Sequence, residues 1–202
     1  MYSPLAGGKG GQRPPYKSEF VTILAQKIVL KSKLRRKFNM KRNRIQFISQ
    51  GAVIAALYVA LTHISNFAGL ASGAIQIRLS EVLTVLPAFT PAAVPGLAIG
   101  CLLSNITTGC IPWDILGGTA ATLIGAAGTF ALKKYPYAAP IPPIIANVVI
   151  VPFVLAYAYK LDGGIPYFML TVGIGEIICC GILGTMLTLA LKKNADTIKW
   201  NN

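Results

Sequence analysis

Glu176 lies in the middle of an otherwise apolar run, Tyr167 to Leu191, long enough to cross a bilayer. A carboxylate at membrane depth is costly, faces the protein interior or a water-filled cavity, and marks a ligand or ion pathway. On a helix it shares a face with Gly173, Cys180 and Gly184, small residues that leave room for a cavity beside the acid. Glu81 and Arg78 stand three residues apart where an alternating stretch, Ala74 to Glu81, meets the next apolar segment. They would either pair with each other or face a polar ligand. Trp113 and Asp114 follow Pro112. The aromatic belongs to an interfacial belt or to a stacking site, and the acid caps a helix or accepts two N–H donors from a nitrogen-rich heterocycle. Asn105 and Asn147 are amides at membrane depth, suited to interhelix hydrogen bonds or to a ligand. His63 reads as a satisfied structural residue.

No GxxxxGK[ST] loop, HExxH or GxSxG is present. The cysteines, Cys101, Cys110, Cys179 and Cys180, form no CxxC pattern and read as small packing residues. With one histidine and no activated nucleophile, catalysis is not expected, and no cofactor or metal is implied. Energy for uphill movement would come from a partner or an ion gradient.

These residues sit in a chain of 202 residues that is 54% hydrophobic and 12% charged, about half the charged share of a soluble domain. The class is an all-α polytopic membrane protein. Six apolar segments are expected: about Ile45–Phe67, Glu81–Thr90, Pro95–Thr108, Gly117–Leu132, Ile141–Tyr159 and Tyr167–Leu191. The second and third, separated by Pro91 and Pro95, could instead be one broken re-entrant unit.

The net charge of +13 comes from one segment. Residues 1–46 hold 12 of the 19 Lys and Arg and one acid, Glu19. That distribution points to anionic lipid and not to nucleic acid. Lys41, Arg42 and Arg44 precede the first segment, Lys133 and Lys134 follow the fourth, and Lys192 and Lys193 follow the sixth. With six spans all three clusters fall on one side, which places both termini in the cytoplasm of a cell-membrane protein. Residues 1–39 differ in texture. Met40 reads as the natural start, with 1–39 a basic, disordered or non-native extension; a transit peptide or an amphipathic helix over Val21–Phe38 are the alternatives. Residues 40–194 form the membrane domain and 195–202 a short tail.

In the first segment Ala52, Ala56 and Ala60 recur every four residues beside a second row, Gly51 and Ala55. Such stripes let another helix approach closely, from the same protein or from a partner.

A small six-span protein with basic ends and this alanine stripe resembles the substrate-binding S components of energy-coupling-factor (ECF) transporters. Gln76-Ile-Arg-Leu-Ser-Glu-Val-Leu-Thr-Val-Leu-Pro87, Pro95-Gly-Leu-Ala-Ile-Gly-Cys-Leu-Leu-Ser-Asn105 and Trp113-Asp-Ile-Leu-Gly-Gly-Thr-Ala-Ala-Thr-Leu123 are similar to the queuosine-precursor group, QueT. The resemblance covers about Lys41 to Lys193. It implies an ECF S-component-like bundle that binds a 7-deazaguanine (preQ1, preQ0 or queuine) from outside. It also implies docking through Ala52, Ala56 and Ala60 onto a membrane coupling protein with two ATPase subunits. The substrate-binding residues expected from their types are Glu176, Glu81, Arg78, Asp114, Trp113, Asn105 and Asn147. The alternatives are an S component for a different vitamin or a stand-alone gradient-driven transporter.

Overall fold

The computed structural model describes residues 16–70, 76–160 and 162–194, which form helices and short connections only. Residues 1–15, Ala74 and Ile75 of the alternating stretch, and the whole tail 195–202 lie outside the described residues. The chain divides into Met1–Asn43 and Arg44–Asn202. In the first unit, the described residues belong to the beginning of α1 (Tyr16–Phe67); everything below concerns the second unit.

There α1 is followed by a 3₁₀ segment (Leu79–Ala88), α2 (Ala93–Thr107), α3 (Pro112–Ala131), α4 (Ile141–Phe153), α5 (Ile165–Glu176) and α6 (Gly184–Lys193). Val154–Ala158 extends α4 as a π-turn, and Ile177–Leu183 joins α5 to α6 in the same way. Three stretches, Arg42–Phe67, Pro136–Ala158 and Ile165–Lys193, are long and apolar enough to cross a membrane. Leu79–Ala88 and Ala93–Thr107 are shorter.

The fourth segment begins at Pro112, five residues earlier than its hydropathy suggests, because proline at the first helical turn needs no backbone donor and brings the required φ. Asp114 is therefore inside the first turn of α3. It does not cap that helix; no side chain does. Pro152 lies within α4, immediately before the π-turn. Its missing N–H and the clash of its ring with the preceding turn are the usual source of such a local change of pitch.

The 3₁₀ segment is buried along most of its length. At about 2.0 Å rise per residue it extends only about 20 Å, less than the roughly 30 Å hydrocarbon core. It runs antiparallel to α1: the Leu79 N–H donates to Ser65 Oγ (2.9 Å), Thr62 Oγ1 to Ser80 Oγ (2.9 Å), and, past the turn, Thr90 Oγ1 to Gln50 Oε1 (3.1 Å). Helix α2 then returns along α1. A Cβ at Gly96 would lie 2.7 Å from the Gly51 carbonyl oxygen, and one at Gly100 would lie 2.7 Å from Tyr58 Cβ and 3.0 Å from the Ala55 oxygen. The Gly51–Ala55 row thus packs inside the bundle, while the neighbouring row Ala52, Ala56 and Ala60 is exposed. Helices α3 and α4 meet as closely: Gly125 faces Pro143 and Gly128 faces Pro142. The main core joins Ile54 and Tyr58 of α1 to Leu83 and Leu86 of the 3₁₀ segment, Ala93, Leu97 and Cys101 of α2 and Ala126 of α3.

Candidate functional site

Glu81 lies in the first turn of the 3₁₀ segment, and Glu176 ends α5 inside the long apolar stretch Ile165–Lys193. Glu81 is held by the antiparallel pairing of the 3₁₀ segment with α1, and Glu176 by the point where α5 passes into its π-turn. The first is 3% exposed and the second 8%. Glu81 Oε1 accepts a hydrogen bond from the Tyr58 hydroxyl, whereas Oε2 is buried without a hydrogen-bond partner among the described residues. Glu176 Oε1 accepts from Asn147 Nδ2 of α4 (2.9 Å), and Oε2 lies 3.1 Å from the Cys180 thiol. That thiol is also 3.3 Å from the Glu81 carbonyl oxygen. One ligand atom from each of Glu81, Glu176 and Cys180 lies within 4.8 Å of the others.

The two acids border a small inner chamber of about 30 Å³, lined also by Gln76, Arg78, Gly118, Thr122, Asn147, Val151 and Val172. A larger chamber of about 220 Å³ lies against it, bounded by Thr62, Asn66, Gln76, Arg78, Thr108, Cys110, Asp114, Val151, Leu155 and Tyr159. Gln76, Arg78 and Val151 belong to both walls. In the larger chamber the Tyr159 hydroxyl donates to Asp114 Oδ2 (2.9 Å). Partial burial, and then the neighbouring Asp114, push the Tyr159 phenol well above the usual tyrosine value, so it remains a donor. Arg78 is in extended backbone (φ −100°, ψ 101°) just before the 3₁₀ segment and borders both chambers.

Of the seven residues expected at a site, Arg78, Glu81, Asn147 and Glu176 line the inner chamber, and Arg78 and Asp114 line the larger one. Arg78 does not satisfy the open oxygen of Glu81. Asn105 is buried, with Nδ2 3.6 Å from Cys101 Sγ and Oδ1 unpartnered, and it lines neither chamber. Trp113 is 69% exposed and borders an outward apolar groove with Phe153 and Tyr157. The aromatic ring beside Asp114 is that of Tyr159. His63 Nδ1 lies 2.9 Å from the Val59 carbonyl in its own helix, a local structural contact.

Sequence reasoning missed Tyr58, Tyr159 and Gln76, and treated Cys180 as packing. Tyr58 carries a polar group in mid-span, on the face of α1 opposite the alanines; that asymmetry was the available signal.

A family model described as QueT transporter matches residues 48–193. The queuosine precursor transporter QueT of Lactococcus lactis subsp. cremoris (strain MG1363) is 34% identical over 86 residues, which cover 42% of this chain and 50% of that relative. The chain thus matches about half the length of that protein. No solved structure matches significantly.

Proposed function

The chain belongs to the QueT transporter family, and we propose that it is the substrate-binding S component of an ECF-type importer for a queuosine precursor, a 7-deazaguanine base. With three stretches able to span a bilayer it is a multi-pass membrane protein. The observation that carries the reading is the pair of adjoining chambers, lined by Arg78, Asp114, Glu81, Glu176 and Asn147 inside an otherwise apolar bundle. A guanine-like edge presents adjacent N–H donors and a carbonyl. Asp114 accepts the donors, its orientation held by Tyr159, while Arg78 and Gln76 donate to the carbonyl. The larger chamber takes the flat base and the inner chamber its 7-substituent.

In this proposal the bundle makes six passes with both termini cytoplasmic. The brevity of the 3₁₀ segment leaves that orientation intact. Whether Leu79–Ala88 and α2 cross fully or dip and return, the chain comes back to the side it left. Lys133, Lys134, Lys192 and Lys193 then share the side of Arg42 and Arg44. The larger chamber opens toward the opposite, outer side. The outward row Ala52, Ala56 and Ala60 docks a membrane coupling protein whose two ATPase subunits drive reorientation and release.

The test is calorimetry on the purified protein in detergent with preQ1, preQ0, queuine, guanine, riboflavin and thiamin. Binding of deazaguanines alone is expected. Asp114→Asn weakens that binding by about 10- to 100-fold, the loss of a charge-assisted hydrogen bond pair. Trp113→Ala leaves it within about twofold, as for an exposed side chain outside the site. A vitamin binding in place of the deazaguanines would show a different cargo, and transport by this chain alone in liposomes would replace the S-component reading with a gradient-driven carrier.

A further inference from the structure

The inner chamber brings two buried carboxyl groups together and leaves one of their oxygens open. Two carboxylates, each at least nine-tenths buried, face one space that has room for little more than a water-sized group. One oxygen, Glu81 Oε2, has no hydrogen-bond partner among the described residues. An unsatisfied buried acceptor is expensive, and a second carboxylate beside it adds repulsion. Asn147 donates to Glu176 Oε1 and makes no hydrogen bond to this oxygen. Arg78 does not close on the open oxygen either.

Building on the function proposed above, we propose that Glu81, Glu176 and Asn147 form a primary-ammonium subsite. It makes the protein selective for the precursor with a 7-aminomethyl arm over one with a neutral or bulky arm. An ammonium has three donors and no acceptor. It meets Glu81 Oε2, the Glu176 carboxylate and the carbonyl oxygen of Asn147, which the Asn147–Glu176 bond leaves as an acceptor. The 30 Å³ chamber admits a –CH2–NH3⁺ group and no ring. A nitrile at the same place brings an acceptor to carboxylates that have nothing to donate, and a cyclopentenyl substituent on the nitrogen exceeds the space. Gln76, Arg78 and Val151 hold the base at the junction of the chambers, so the arm at position 7 enters the inner one.

The experiment measures the affinities of 7-aminomethyl-, 7-cyano- and 7-methyl-7-deazaguanine for the full chain by calorimetry at neutral pH, for wild type, Glu81→Gln and Glu176→Gln, with and without EDTA. The aminomethyl compound is expected to bind at least about tenfold more tightly than either neutral analogue. Either Gln variant should lower its affinity by about 10- to 100-fold while the 7-methyl compound stays within about threefold. Equal or tighter binding of a neutral analogue by wild type overturns the subsite, and that comparison stands even where a variant fails to fold. So does an equal loss for all three ligands in the variants. Loss of aminomethyl binding in EDTA overturns it as well, since the partner of Glu81, Glu176 and Cys180 would then be a metal ion. If no deazaguanine binds, the functional reading beneath it falls too, an outcome distinct from retained binding of the 7-methyl compound.

Discussion

Gly100→Ala tests whether the α1–α2 contact supports the carboxylate site. The added Cβ would sit 2.7 Å from Tyr58 Cβ, 3.0 Å from the Ala55 oxygen and 3.1 Å from Ala55 Cα, where ordinary contact begins at 3.4 Å. All three atoms are backbone or fixed to it, so no side-chain rotation relieves the clash. The helices must separate by about 0.7 Å, and overpacking of this kind costs about 1–3 kcal/mol. For a chain of this size that corresponds to about 2–4 °C in melting temperature per kcal/mol. The displacement also draws Tyr58 away from Glu81, whose Oε1 accepts its hydroxyl, so ligand affinity falls with stability. The assay is thermal unfolding of the detergent-solubilised protein with and without ligand. Gly173→Ala is the control: its Cβ would stand 3.5 Å from Val148 Cγ2, an ordinary contact, and a helical alanine gains a little propensity. A Gly100→Ala protein that melts and binds like wild type would refute the reasoning.

The two small-residue rows of α1 should behave oppositely. Ala55→Leu, which points at Gly100, lowers the melting temperature, whereas Ala56→Leu leaves folding and ligand binding unchanged but abolishes uptake in cells containing the energising partners. Tyr159→Phe removes one donor to Asp114 and weakens deazaguanine binding about 3- to 10-fold in a titration. For topology, single cysteines placed at Asp162 and at Lys133 in an otherwise cysteine-free protein should differ in whole cells: a membrane-impermeant thiol reagent labels position 162 and spares 133.

The helical segments were legible because apolar runs and prolines act locally. Pro140, Pro142 and Pro143 mark the start of α4, and Lys192 and Lys193 end α6 where cations complement the carbonyls of the last turn. The 3₁₀ pitch of Leu79–Ala88 was not legible. Its ten residues have the composition of a membrane helix, and the segment is drawn out by pairing with α1, through Ser65, Thr62 and Tyr58, which are distant in sequence. Hydropathy also could not tell which row of α1 faces inward. Gly51 and Ala55 are no smaller as a pair than Ala52 and Ala56 in any way that matters to a hydropathy window; the choice is made by Gly96 and Gly100 on α2, which accept only the first row.

The site divides along the same line. Glu176, Glu81, Arg78 and Asp114 were visible alone, because a charge in an apolar chain has to be explained by its surroundings. What makes them a candidate site is which oxygen each neighbour leaves open, and that depends on partners 23, 29 and 45 residues away: Tyr58 on Glu81, Asn147 on Glu176 and Tyr159 on Asp114. Tyrosine and asparagine are unremarkable in a membrane chain, since both satisfy themselves at interfaces and between helices. Trp113 shows the converse. It was the more conspicuous aromatic beside Asp114, yet at the start of α3 consecutive residues point about 100° apart, so a helix that turns Asp114 inward turns Trp113 out. The ring that reaches Asp114 comes instead from Tyr159, just beyond the π-turn, where the changed pitch after Pro152 sets the position of the last residues of that helix.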